Sequence, residues 1–205
     1  VPLLNEASQV VDLVTLEDLL IPDELALRAV VMAGGQGSRL RPLTETTPKP
    51  MLPVGDRPLM EHTIRNLSRA GISEVHIATH HLGEQITEHF GDGGDFGVDV
   101  CYVPEKQLLG TVGAIGLIPT SDTPILVING DILTAIDFRA MRSFHREHEA
   151  ELTIAVRQHD IQVPYGVVET EGARLTGLVE KPMQRYLVNA GIYLLEPAVR
   201  QFIPP

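Results

Sequence analysis

Gly34, Gly35 and Gly37, followed by Ser38 and Arg39, stand directly behind the apolar run LRAVVM. Glycines at such a place let the backbone turn sharply and bring its N–H groups against a phosphate with no Cβ in the way. The alternative is a plain strand-to-helix turn, and the familiar fingerprints do not decide between the two. Leu40 occupies the third glycine position of a dinucleotide loop, and no Gly-Lys-Ser/Thr follows at Walker spacing. Ten residues after Arg39 comes Lys49 between Pro48 and Pro50. Two prolines stiffen the backbone around that lysine, which suits a cation that must meet an anion in a fixed place. A solvated loop lysine is the other reading. Asp131 closes the strand-like run PILVINGD and offers a carboxylate of the kind that holds Mg²⁺ beside phosphate oxygens, or one that caps a following turn. Glu180 and Lys181, next to each other before Pro182, are either a solvated strand edge or a pair that binds hydroxyls and a phosphate.

The elements that must position these residues are legible as alternating strands and helices from Leu27 onward. Strands are expected at LRAVVM, EVHIATH, VDVCYV and PILVING. Helices are expected near Arg57 to Ala70, Gly83 to Phe90, Thr111 to Leu117 and Phe138 to His148. This alternation predicts an α/β domain with a mainly parallel sheet covered on both faces, in which ligands bind beyond the carboxyl ends of the strands. ELTIAVRQ, YGVVET, RLTGLVEKP and NAGIYLLE then follow with little helix between them, as hairpins or a mixed extension of the sheet. The first twenty residues read as strand, polar turn, strand from Val10 to Val14, and a short helix with Thr15 as N-cap and Asp18 at N3.

Composition narrows the partners. Hydrophobic residues make up 43% of the 205 and charged residues 21%, which fits a globular chain. A net charge of −11 argues against nucleic acid as a partner, while leaving room for a small anion bound where the few basic residues gather. No membrane partner is expected, since no apolar stretch approaches membrane-span length, and the single Cys101 fits a reducing compartment; together these give a cytoplasmic expectation. Cys101 is expected in the core. His80-His81 and His145-x-x-His148 lack the further ligands of a zinc site, and His145 and His148 are expected on a solvated helix face. The chain begins inside the apolar run VPLL and stops soon after a strand-like segment, so it is read as a fragment of a longer protein.

GGQGSRLRPLT followed by TPKPMLPVGDRPLMEH resembles the signature of the sugar-phosphate nucleotidyltransferases, similar to mannose-1-phosphate guanylyltransferase and glucose-1-phosphate thymidylyltransferase. PEKQLLGTVGA, VINGD, YGVVE, VEKP and NAGIY resemble later motifs of that family in the same order. The resemblance implies a Rossmann-like three-layer α/β/α fold over residues 27–205 with a mixed, mainly parallel sheet. It further implies Mg²⁺ as cofactor and a nucleoside triphosphate and a sugar 1-phosphate as substrates. The backbone at Gly34, Gly35, Gly37 and Ser38 would cradle the triphosphate, Arg39 neutralise it and Lys49 contact the phosphate under attack. Glu105 and Gly110 would face the base, and Asp131 the metal. Gly166 and Glu180 would meet sugar hydroxyls, Lys181 the sugar phosphate, and Asn189 the sugar or ribose. A second metal-binding aspartate of the family lies further along, in a tryptophan-containing segment; this sequence holds no tryptophan and ends before it, so either that part was cut away or metal binding is weakened.

The chemistry asks for the same residue types. A phosphate monoester is mostly dianionic at neutral pH, so the nucleophile needs no general base. Catalysis then consists of positioning and charge neutralisation. GTP with mannose 1-phosphate is the first expectation, because Glu105 is an acceptor for guanine N–H donors. Thymidylyl or uridylyl transfer to glucose 1-phosphate, a non-catalytic nucleotide-binding subunit and a nicotinamide-dependent dehydrogenase are the alternatives. A homo-oligomer is left open. VPLLNE...VVDLVTLEDLL, in residues 1–22, resembles the last hairpin and helix of a CBS domain, with Asp12 where that family has a glycine. This implies an adenine nucleotide at a CBS pair in the full-length protein, met by Thr15 and Asp18.

Overall fold

A computed structural model describes residues 24–107, 110 and 113–203, together with the backbone of residues 2–4 and 10–13. The chain divides into two units, one of residues 1–153 with 193–205, the other of residues 154–192.

The first unit is organised around β3 (Arg28–Met32), which pairs in parallel with β6 (Glu74–Thr79) on one side and β8 (Ile125–Asn129) on the other. β7 (Asp99–Pro104) joins β6, also in parallel. With β9 (Leu152–Gln162) and β12 (Met183–Leu195) the strand order is β7-β6-β3-β8-β12-β9. Successive side chains of a strand point to opposite faces. Val75, His76, Ile77, Ala78 and Thr79 are all buried, so both faces of β6 are covered and the three-layer expectation holds. That is also why β3 and β8 read as unbroken apolar runs.

Three helices match the expected periodicity. The short antiparallel pair β4 (Pro53–Val54) and β5 (Arg57–Pro58) leads into α1 (Leu59–Arg69), where Met60, Thr63, Ile64 and Leu67 form one buried stripe. The helix stops at Gly71, whose φ of +83° allows the Ile72 N–H to reach the Leu67 carbonyl at 3.0 Å, a Schellman ending. α2 spans Gly83–Phe90, and α3 (Phe138–Glu147) is capped by Asp137, which accepts from the N–H groups of Arg139 and Ala140 at 2.9 and 3.0 Å. Around Thr111 to Leu117 the described part is a short 3-10 turn, Gly113–Gly116. Among the described residues no helix is long and apolar enough to cross a membrane.

Two expectations are corrected. Cys101 is exposed, because β7 is the edge strand of the sheet and Asp99 and Cys101 share its open face. His145 is 1% exposed: its Nδ1 pairs with Thr153 Oγ1 at 2.7 Å and its Nε2 with Glu196 Oε1 at 3.1 Å, so a polar ring is fully satisfied inside. His148 is exposed as expected. His76 is also buried; Arg28 donates to it at 2.9 Å, and Glu74 lies 2.8 Å from the same ring nitrogen.

The second unit consists of hairpin β10 (Gly166–Glu171) and β11 (Arg174–Glu180) together with the remaining parts of β9 and β12. At the N-terminus, β1 (Pro2–Leu4) and β2 (Val10–Leu13) pair antiparallel, as the sequence suggests; the expected helix with Thr15 and Asp18 lies outside the described residues.

Candidate active site

β3, β7 and β8 all deliver their carboxyl ends to one cleft of about 530 Å³. Its first wall is the segment after β3. The Ala33 N–H still bonds to the Ala78 carbonyl at 2.9 Å, and beyond it the chain leaves the sheet through Gly34, Gly35 and Gly37. A Cβ on Gly34 would lie 2.6 Å from Glu105 Oε2, so the absence of a side chain there is what lets the Glu105 carboxylate sit over the loop. Gly37 has φ +61° and ψ +21°, a left-handed conformation open to glycine at little cost. The turn Ser38–Leu40 follows, in place of the long helix of a dinucleotide fold.

Lys49 opens a second 3-10 turn, Lys49–Met51, with Pro48 extended before it and Pro50 buried inside it. The proline-rich segment thus carries the lysine back to the glycine loop, and Lys49 and Pro50 both line the cleft. Lys49 Nζ donates to Asp131 Oδ2, the carboxylate just past β8. The segment after Asp131 is held by α1: Thr63 donates to the Ile132 carbonyl and Asn66 to the Thr134 carbonyl, each at 3.2 Å. On the β7 side Glu105 is 5% exposed, and His80 Nδ1 donates to its carbonyl at 2.7 Å. Gly110, with φ +78°, completes this edge.

Nine residues singled out from the sequence therefore meet in one cleft: the four of the glycine loop, Arg39, Lys49, Glu105, Gly110 and Asp131. Gln36 and Asn129 line it as well and were not singled out. Gln36 lies between recognised glycines and Asn129 precedes the recognised Gly-Asp, so adjacency was the available signal.

The other four candidates lie in the second unit. Gly166 pairs with Glu180 across the hairpin, and a Cβ on the glycine would approach Glu180 Oε2 to 3.1 Å. Lys181 has φ +46°, uncommon for a side chain of this size, and its N–H donates to the Tyr165 carbonyl at 3.2 Å. Glu180 and Lys181 are 3.9 Å apart and both exposed. Asn189 Oδ1 accepts from the Gly191 N–H at 2.8 Å.

A doubly covered, largely parallel sheet with a cleft at its strand ends, lined by a glycine loop, a lysine and an aspartate, places the chain among the α/β proteins whose ligand sites lie beyond the carboxyl ends of the strands. The family description "Nucleotidyl transferase" matches residues 28–204, and the chain belongs to that family. It is similar to a mannose-1-phosphate guanyltransferase from Yarrowia lipolytica, with 33% identity over 186 residues, 86% of this chain and 51% of that protein. A UTP--glucose-1-phosphate uridylyltransferase from Synechocystis is 33% identical over 198 residues, 87% of this chain and 51% of that protein. Among solved structures, a Bacillus anthracis chain named for glucose-1-phosphate thymidylyltransferase superposes with a TM-score of 0.69 at 27% identity, covering 87% of this chain and 76% of the other. The chain spans about half the length of the curated relatives it matches.

Proposed function

We propose that the full-length protein is a sugar-1-phosphate nucleotidyltransferase that joins GTP and mannose 1-phosphate, or a closely related sugar, to give an NDP-sugar and pyrophosphate. The observation that carries this reading is the convergence of the glycine loop, Arg39, Lys49 and Asp131 on one strand-end cleft. An oxygen of the sugar phosphate attacks the α-phosphorus of the triphosphate, a new P–O bond forms, and the bond to the bridging oxygen of the β-phosphate breaks. No proton has to be removed from the dianionic nucleophile, so the cleft needs cations and N–H donors, not a base. The backbone of Gly34, Gly35, Gly37 and Ser38 holds the triphosphate, Arg39 neutralises it, and Lys49 bears on the phosphoryl group in transfer. Gly166, Glu180, Lys181 and Asn189 are assigned to the sugar 1-phosphate.

Among the described residues no group of three or more His, Cys, Asp or Glu gathers as a metal site. A lone carboxylate at Asp131 fits Mg²⁺, which takes one or two carboxylates and fills its other positions with phosphate oxygens and water. Bound there, Mg²⁺ would neutralise charge on the triphosphate. The buried Glu105 carboxylate favours guanine, whose pairing edge presents N–H donors. The relatives named for mannose 1-phosphate support the same choice, and the uridylyltransferase relative supports transfer of UMP to glucose 1-phosphate as the second reading.

Residues 1–22 are proposed to end a CBS-like domain, with the catalytic domain running from residue 27. The antiparallel hairpin β1–β2 supports this. Calorimetric titration of full-length protein with AMP and ATP, the cleft saturated with GTP, should show a separate site; its absence removes the regulatory role. For the catalytic reading, incubation with each NTP, Mg²⁺ and a panel of sugar 1-phosphates should yield GDP-mannose by mass spectrometry. No NDP-sugar from any pair would overturn it.

A further inference from the structure

Thr44 lies behind the cleft wall, 1% exposed, with its hydroxyl donating to the Gly37 carbonyl at 2.9 Å. The same carbonyl accepts the Leu40 N–H at 2.9 Å. Both acceptor positions of that oxygen are thus used, which fixes the direction of the peptide. In a trans peptide the C=O and the following N–H point opposite ways. Drawing the Gly37 carbonyl back onto Thr44 therefore turns the Ser38 N–H away from Thr44. Gly37 and Ser38 are the residues of this peptide that line the cleft.

Packing repeats the arrangement. A Cβ on Gly37 would lie 2.8 Å from Thr44 Cγ2 and 3.2 Å from Lys49 Cβ, so the threonine methyl and the lysine stem close on the same glycine. Thr44 is itself held by consecutive turns: the Leu43 N–H bonds to the Leu40 carbonyl at 3.0 Å and the Glu45 N–H to the Pro42 carbonyl at 3.1 Å. Glycine alone would leave this peptide free to rotate, because it populates both signs of φ readily.

We infer that Thr44 is a positioning residue that locks the Gly37–Ser38 peptide with its N–H toward the triphosphate and ties the glycine loop to the segment carrying Lys49. The inference rests on the reading of the cleft as a nucleoside triphosphate site. Thr44 touches no substrate; it acts through Gly37.

Thr44→Val keeps the shape and removes the donor, and Thr44→Ser keeps the donor and removes a methyl. In the full-length protein Thr44→Val should raise the Kd for GTP about tenfold, the scale of one hydrogen bond lost at a phosphate. The KM for the sugar 1-phosphate should stay near wild type, and Thr44→Ser should restore nucleotide affinity. Should the valine variant not fold, Thr44→Ala supplies the same comparison against serine. Wild-type GTP affinity in a folded valine or alanine variant overturns the inference, as does a lowered Tm with unchanged affinity, or a serine variant no better than valine. If the wild-type protein binds no nucleoside triphosphate at all, the cleft reading fails with it, and that result is distinct from the others.

Discussion

Lys49 and Asp131, 82 residues apart in sequence, form an ion pair across the mouth of the cleft. Their side chains are 30% and 36% exposed, so the contact is a partly solvated one. Exposed pairs of this kind contribute little to stability, on the order of 0–1 kcal/mol. Each partner is therefore available to a stronger ligand: phosphate for the lysine, a divalent cation for the carboxylate. Lys49→Ala should cut turnover by roughly a hundredfold or more, the scale of removing one preorganised charge from a transition state. Its Tm should stay close to wild type. Near-normal kcat in the variant would show that the lysine does not bear on the phosphate in transfer.

Asp131→Asn separates the metal from the lysine. The asparagine keeps the shape of the side chain but removes the charge that suits Mg²⁺. The Mg²⁺ concentration giving half-maximal rate should rise roughly tenfold or more, since a charged group contributes more than a neutral donor. Lys49→Met should not weaken cation binding, because it frees the carboxylate of its present partner. Mn²⁺ titration followed by electron paramagnetic resonance reads both variants without turnover, and equal affinity in Asp131→Asn and wild type would remove Asp131 from the metal site.

Glu105 sits over Gly34 so closely that a Cβ there would lie 2.6 Å from its Oε2 and push the carboxylate aside. If its carboxylate accepts guanine N–H donors, Glu105→Gln should lower kcat/KM for GTP by roughly tenfold while affecting UTP and dTTP less. A parallel loss with all three nucleotides would point to a role in shaping the loop.

Glu61 on α1 is, like Glu74, a carboxyl of the first unit held low by cationic partners. Burial pushes its carboxyl upward, and hydrogen bonds from Arg65 and His89, with their charges, more than offset this and hold it below the ordinary 4.5. A carboxyl whose folded pKa is depressed contributes stability that is complete above the unfolded pKa and is lost as pH falls through the folded one. The Tm of the wild type should therefore drop as pH falls from about 5 toward 3, and that of Glu61→Gln should start lower and fall less steeply. Parallel curves for the two proteins would remove Glu61 from the acid response.

Much of this arrangement could be read from residue order. β3 and β8 are buried along both faces and so leave apolar runs, and the glycines and prolines mark the turns that follow. The glycine loop, Arg39, Lys49 and Asp131 are recognisable because each follows a strand end or lies in a Gly- or Pro-rich loop, whereas Glu105 and Gly110 are marked only by the family resemblance. What escaped depends on partners that only the folded chain brings together. His145 is buried because Thr153 and Glu196 satisfy both ring nitrogens, and no periodicity within α3 reveals that. Cys101 alternates with apolar residues, yet it is exposed on β7, the edge strand of the sheet among the described residues. Nothing in the residue order marks Thr44 as a partner of Gly37; that hydrogen bond exists only in the folded loop.

The proposed chemistry turns on attack at the α-phosphorus and not at the γ-phosphorus. GTP labelled with ³²P at the α- or the γ-position, incubated with full-length protein, Mg²⁺ and mannose 1-phosphate, distinguishes the two. The α-label should appear in the sugar nucleotide and the γ-label in pyrophosphate. Transfer of the γ-label to the sugar, or of neither label to any product, would contradict that chemistry.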